Sequence, residues 1–189
     1  MKAPEQIMRV VVTGPVGAGK TTFIKTISEI ESIDTDRRAT DEMAHLKPTT
    51  TVAMDFGRVT FGPNMALHLY GTPGQERFNF MWDILLRQAH GIVLLAPAHR
   101  PKDFFAASRL LRYARQRAPE APLLIAATHS DLPQAWPIAD ILPAFGIDAS
   151  ESQIPTLSIN ATAERDVART LIALVERYAE RSNAKRIAS

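Results

Sequence analysis

The sequence predicts an α/β fold on a six-stranded, mainly parallel sheet, with one antiparallel edge strand and helices on both faces. Three observations carry that reading. Short apolar, often β-branched runs alternate with segments of helical periodicity, the pattern of parallel strands joined by helical crossovers. One pair of runs is separated only by Gly62-Pro63-Asn64, a turn too short for a crossover, so those two strands form a hairpin. A glycine-rich stretch, Gly14 to Thr21, lies between the first strand and the first helix, at a carboxyl strand end where such sheets bind ligands.

Taken in order, IMRVVV (Ile7 to Val12) is short and β-branched and reads as the first strand. KTTFIKTISEI follows as a helix, with Phe23, Ile24, Ile27 and Ile30 at helical spacing. Residues 31–50 are polar and charged without periodicity and read as a loop. TVAMDFGRVTF and MALHLY are the hairpin strands. After GTPGQERF, NFMWDILLRQ reads as a helix, and GIVLLA (Gly91 to Ala96) as a buried strand. Pro101, pre-set for a first helical turn, opens a helix to about Arg117 with Phe104, Phe105, Leu110 and Leu111 as its apolar side. PLLIAAT is the next strand, WPIADILPAF a short proline-interrupted helix, and IPTLSI the last strand. AERDVARTLIALVERYAERS is amphipathic, with Val167, Leu171, Leu174, Val175 and Tyr178 on one face. Residues 1–182 are read as one domain and 183–189 as a basic, flexible tail. The loops to inspect follow Val12, Tyr70, Ala96, Thr128 and Ile159.

A chain of 189 residues with 46% hydrophobic and 22% charged content suits one soluble domain with a sizeable core. A net charge of +2 gives no reason to expect nucleic acid. With no cysteine, disulfides, thiolate metal sites, cysteine nucleophiles, prenylation and palmitoylation are excluded. Lys2 stands where N-myristoylation requires glycine, the N-terminus lacks a signal peptide's apolar run, and no stretch is long enough to span a membrane. A cytoplasmic location without a lipid anchor is the expectation.

GPVGAGKT, Gly14 to Thr21, matches G-x-x-x-x-G-K-[ST] in full, between a strand and a helix as the chemistry requires. Gly14, Gly17 and Gly19 let successive backbone N–H groups turn inward around an anion, with Val16 and Ala18 between them, and the helix N-terminus adds partial positive charge. Lys20 reaches the β- and γ-phosphates, Thr21 offers its hydroxyl to Mg²⁺, and Thr22 follows in the first helical turn. The branched side chain of Val16, close to the γ-phosphate position, crowds any residue entering from a partner.

Through GPVGAGKTT, TTTVAMDFG and GTPGQERFNFMW the chain resembles the Ras-like small GTPases over nearly its whole length. It is most similar to the bacterial subgroup encoded beside Roadblock/LC7 proteins, akin to the gliding-polarity GTPase. The resemblance implies a P-loop NTPase with GTP/GDP and Mg²⁺ as its ligands. It implies Thr51 as the second metal ligand, with Thr49 and Thr50 near enough to exchange register with it. It implies Gln75 as the residue orienting the attacking water, and Gly74 as the amide that meets the γ-phosphate. The family's N-K-x-D is written here as Thr128, His129, Ser130, Asp131. Asp131 matches the carboxylate that accepts from guanine's N1–H and amine, a donor pair adenine lacks. His129 replaces the lysine that covers the base, and Ala161 in INAT matches the position whose amide meets guanine O6.

The family's second switch reads DxxGQ, and here Gly71 stands in place of the acid, as is often so in the bacterial subgroup. Thr21 and Thr51 are expected to hold the metal without it, at lower affinity. Asp55, the nearest carboxylate, is a weak candidate to substitute, since one face of a strand points away. Gly71, beside Pro73 and Gly74, is read as free to adopt positive φ, and Gly71→Asp is expected to raise Mg²⁺ affinity.

The implied function is a GTP-binding switch with slow hydrolysis. No arginine lies close before Thr51, so acceleration falls to a partner: an activating or effector protein of the Roadblock/LC7 type, with weak membrane-surface contact only through that partner. Phe78, Phe80, Met81 and Trp82 span too wide an arc for all to be buried, leaving one or two for that partner, unless all pack beneath the switch. Trp136 and His90 read as packing and surface. A non-cycling nucleotide-binding scaffold subunit is the alternative, and a small phosphotransferase the third reading.

Overall fold

The computed structural model describes residues 6–30, 54–73, 79–147 and 154–188. The elements in chain order are β1 (Gln6–Thr13), α1 (Lys20–Ile27), β2 (Phe56–Thr60), β3 (Met65–Gly71), α2 (Asn79–Arg87), β4 (Gly91–Pro97), α3 (Phe104–Arg117), β5 (Leu123–Thr128), α4 (Ile138–Ala144), β6 (Thr156–Ser158) and α5 (Glu164–Ala188). The described strands form a six-stranded sheet in the order β2-β3-β1-β4-β5-β6. The β2–β3 hairpin is antiparallel, pairing Phe56 with Tyr70, and every other neighbouring pair is parallel.

Alternation along the central strands sorts their side chains into two cores. Val10 and Val12, with Val93 and Leu95, face α1 and α5 and meet Phe23, Ile24, Val167, Leu171 and Leu174. Val11, with Ile92 and Leu94, faces the other way onto Trp82, Leu86, Phe104, Leu111 and Ile141 from α2, α3 and α4, and onto Phe145 just past the end of α4. Helices therefore cover both faces, and β1, at the centre, delivers its carboxyl end to the middle of the ligand edge.

Some boundaries differ from the sequence expectation. The first helix ends at Ile27, and Ser28 takes an extended conformation. The chain is diverted because the Glu29 carboxylate accepts from the Thr60 amide (2.9 Å) and hydroxyl (2.8 Å) at the sheet edge. Strand β2 begins at Phe56, leaving Asp55 at its entry. A 3₁₀ turn over Pro101–Asp103 precedes α3. In α3 the buried positions include Phe104, Ala107, Ser108 and Leu111, the helical repeat from residue 104, so Phe105 falls on the outer side and is 69% exposed. The last helix runs on to Ala188, so residues 183–188, read as part of a tail, continue it. Among the described residues no helix is long and apolar enough to cross a membrane.

Candidate functional site

The loop after β1 turns over the sheet edge and enters α1 at Lys20. Gly14 adopts φ 151°, and a Cβ there would lie 2.5 Å from the Leu95 carbonyl oxygen, so only glycine passes this close to β4. Gly19 precedes the helix at φ 94° with no side-chain cap, so no side chain stands between the first amides of α1 and an anion. Lys20 is buried, and its Nζ donates to the carbonyls of Gly14 (2.8 Å) and Pro15 (2.9 Å). Burial pulls its pKa down to about 8; the Asp55 carboxylate opposes that fall and the Arg100 guanidinium adds to it.

Arg100, in the turn after β4, was not singled out by the sequence reading, although it stands on one of the loops marked for inspection. Its Nη2 donates to the Val16 carbonyl at 2.6 Å, and its Nε pairs with Asp103 at 2.9 Å. A fixed cation thus braces the glycine-rich loop from outside. Val16 itself is 61% exposed.

At the other end lies a cavity of about 200 Å³, lined by Gly19, Thr22, His129, Asp131, Leu132, Asn160, Ala161 and Thr162. Three loops meet there. His129 sits at φ 57°, with its ring centroid 4.3 Å from that of His99. Burial first, and then its neighbours His129 and Arg100, hold the His99 imidazole below its usual range. Thr128 lies behind this wall, fully buried; its hydroxyl donates to the Ala18 carbonyl at 2.9 Å, clasping the base-side loop to the phosphate-side loop. The Thr26 hydroxyl donates to the Ala161 carbonyl at 2.8 Å, a second clasp. Asn160 Oδ1 accepts from the Thr162 amide (2.9 Å) and hydroxyl (2.7 Å), which shapes the third loop.

On the remaining side, Thr21 Oγ1 donates to Asp55 Oδ2 at 2.6 Å. A hydroxyl and a carboxylate are hard oxygen donors, few in number, and they suit Mg²⁺, which completes its shell with phosphate oxygens and water. Gly71 is the last residue of β3, an extended strand position and not one of the positive-φ glycines. The expectation that it turns into a left-handed conformation is corrected by its ladder bonds: its amide donates to the Asp55 carbonyl at 2.8 Å.

A family model described as "Conserved hypothetical ATP binding protein" matches residues 30–182. The chain belongs to that family. For this family member the match begins beyond the glycine-rich loop, so Gly14 to Thr21 is separate evidence for phosphate binding. The Ras-related protein SEC4 of Saccharomyces cerevisiae is 24% identical over 190 residues, covering 98% of this chain and 81% of that protein. The uncharacterized protein MJ1339 of Methanocaldococcus jannaschii is 31% identical over 94 residues, 49% of this chain and 53% of its own length, so the matched stretch spans about half of each. Fold, loop and comparisons together make this family member a small-GTPase-like P-loop nucleotide-binding protein.

Within the family member the structure brings Gly19, Thr22, His129, Asp131 and Ala161 to one cavity, with Lys20 and Thr21 beyond it, and sets Thr128 behind it. Thr51, Gly74, Gln75 and Phe78 lie outside the described residues. Residues flanking 74–78 are anchored: the Thr72 amide donates to the Val12 carbonyl (2.9 Å), and the buried Trp82 indole donates to the Pro73 carbonyl (3.0 Å). Phe80 and Ile84, one helical turn apart on α2, are 58% and 57% exposed. His90 and Trp136 do pack: His90 Nδ1 accepts from the Arg9 amide at 3.1 Å, and Trp136 stands edge-on to Phe104.

Proposed function

We propose that the protein is a GTP-binding molecular switch that hydrolyses GTP slowly to GDP and phosphate and is accelerated by a partner. The observation that carries this reading is one cavity shared by Asp131 and by Gly19 and Thr22 of the phosphate loop. A carboxylate acceptor at one end and an amide nest with a buried ammonium at the other match a guanine nucleotide's N1–H and amine donors and its phosphates. His129 and Ala161 flank the base, His129 by stacking and Ala161 through its amide. Lys20 leaves its two carbonyl partners to hold the β- and γ-phosphates. Thr21 and Thr51 hold Mg²⁺, which when bound neutralises charge on the phosphate oxygens. Gln75 orients the attacking water, and the Gly74 amide senses the γ-phosphate.

The partner is an activating or effector protein of the Roadblock/LC7 type, and Phe80 and Ile84 on α2 form the apolar part of its contact. Val16, exposed above the loop, disfavours a deeply inserted arginine, so the partner acts by positioning Gln75 or Arg77. The protein works in the cytoplasm and meets membrane only through that partner. The competing base is adenine, named in the description of the family. Titration calorimetry of nucleotide-free protein with GTP, GDP and ATP separates them: guanine nucleotides are expected to bind more tightly, and equal affinity for ATP and GTP sinks the guanine reading. Single-turnover assays with Gln75→Leu, expected to be slower with GTP binding retained, test the hydrolytic role.

A further inference from the structure

We infer that Arg100 is a positioning residue of the phosphate nest: by holding the Val16 carbonyl on the outer side of the glycine-rich loop, it turns the Gly17 amide inward, toward the phosphates. The inference rests on the nucleotide-binding reading above and adds to its phosphate site a residue that the glycine-rich motif does not contain.

A trans peptide unit is planar, so its C=O and N–H point in opposite directions. The Val16 carbonyl and the Gly17 amide are the two ends of one such unit. Arg100 Nη2 donates to the carbonyl at 2.6 Å and so fixes the plane from one side. The Gly17 N–H is thereby aimed away from the guanidinium. Among the described residues no protein group accepts from it, whereas the next amide, of Ala18, is turned back onto the Pro15 carbonyl at 3.2 Å. An amide held in a fixed direction without a partner is what an anion nest presents.

The fit is close on both sides of the contact. Gly17 has φ 72°, and a Cβ there would lie 3.0 Å from Arg100 Nη1 and 3.1 Å from its Nη2. The motif G-x-x-x-x-G-K-[ST] leaves this position open, so glycine at 17 answers to the guanidinium and to the left-handed backbone rather than to the motif. Arg100 is held in turn. Its Nε pairs with Asp103 at 2.9 Å, and the Asp103 amide donates back to the Arg100 carbonyl at 2.9 Å. A charged donor makes the stronger kind of hydrogen bond, and here its charge is also felt inside the loop. Burial does most to lower the Lys20 pKa, the Asp55 carboxylate opposes the fall, and Arg100 adds to it. An anion in the nest relieves the repulsion between the two cations.

The test is release of a fluorescent GDP analogue, repeated with the ADP analogue. Arg100→Met keeps the stem and deletes the donors and the charge. It is expected to release GDP about 10- to 100-fold faster, the effect of losing one hydrogen bond to a charged group. Arg100→Lys, which keeps a charged donor, is expected to recover most of the retention. Two readouts separate positioning from general loosening. Calorimetry at pH of about 8.5 is expected to show less proton uptake on binding in Arg100→Met, because Lys20 is then less depressed before the phosphates arrive. In protein carrying isotope-labelled glycine, the Gly17 amide resonance is expected to move on GDP binding in wild type and to move less in Arg100→Met. Melting temperatures identify a variant that fails by unfolding, and the wild-type Gly17 resonance needs no variant: if GDP binds and leaves it in place, the inference is overturned. Wild-type release in a folded Arg100→Met overturns it too, and so does faster release with the proton uptake and the Gly17 shift both unchanged; the switch reading stands in each case. Retention of the ADP but not the GDP analogue removes the guanine reading while the Arg100 comparison still runs on ADP. If neither diphosphate binds, both readings fall.

Discussion

Lys20 carries a consequence that can be checked with a pH meter and a calorimeter. Its folded-state pKa, about 8, lies below the ordinary 10.5, so between those values the unfolded chain binds more protons than the folded one. Stability of the nucleotide-free protein therefore rises with pH through that window, and below about 8 the cost of the buried charge is fully present. Phosphates beside Nζ favour the ammonium and raise its pKa again. Nucleotide binding at pH of about 8.5 is expected to take up a proton at Lys20, and affinity is expected to fall as pH rises further. Calorimetry in two buffers of different ionisation heat reads that uptake directly; equal heats at that pH would show that Lys20 does not change its proton on binding. Lys20→Ala is expected to abolish nucleotide binding, measured in the same instrument. Asp131→Asn is expected to weaken GTP and favour xanthosine nucleotides, whose oxo group can accept from an amide where guanine's amine cannot. These residues were legible because a contiguous motif names them. Arg100 was not, because it acts on a loop distant in the chain, and Asp55 stood out only as the nearest carboxylate. The Asp55–Gly71 pairing was nonetheless within reach of the sequence: the two lie equidistant from Pro63 in a hairpin whose turn was recognised.

At the scale of elements, α2 divides its side chains between anchoring and display. Trp82 is buried against Val11 and α3, with its indole tied to Pro73, while Phe80 and Ile84 face outward. Trp82→Ala is expected to cost about 3–5 kcal/mol through the cavity it leaves. Trp82→Phe keeps the ring but removes the indole donor, and is expected to cost less, with about 1 kcal/mol from the lost hydrogen bond. Urea denaturation distinguishes the two. Phe80→Ser and Ile84→Ser, on the surface, are expected to shift stability by less than about 0.5 kcal/mol while weakening a partner's binding. Helix and strand identities were readable from periodicity throughout, because burial on one face imposes it. The ends were harder. KTTFIKTISEI looks helical to its last residue, yet the helix stops where Glu29 finds Thr60, a partner more than thirty positions away that local pattern cannot show. Phe105 misled by composition alone: an aromatic beside Phe104 reads as core until the repeat is counted from the buried residue.

Over the whole molecule, the site draws on the loops that follow β1, β4, β5 and β6, so a bound nucleotide ties together parts of the chain remote in sequence. A ligand that binds only the folded state stabilises it by about 2.7 kcal/mol at a hundred times its dissociation constant. For a chain of this size that is a rise of several degrees in melting temperature. GDP is expected to produce it and Lys20→Ala to remove it, in a thermal melt with and without nucleotide. The alternation of strands and helices announced the layered architecture, but which loops join hands across the edge was invisible until the strand order was known. The clasp from Thr128 to the Ala18 carbonyl has a further consequence. It makes recognition of the base and grip on the phosphates a single lever, with the hydroxyl as its fulcrum. On the proposed reading, prising the loop at 128–132 away from the body is expected to slacken the glycine-rich turn from behind, without contact to the phosphates. Thr128→Val, which keeps the shape and deletes the bond, is expected to hasten GDP escape while leaving the residues that line the pocket in place.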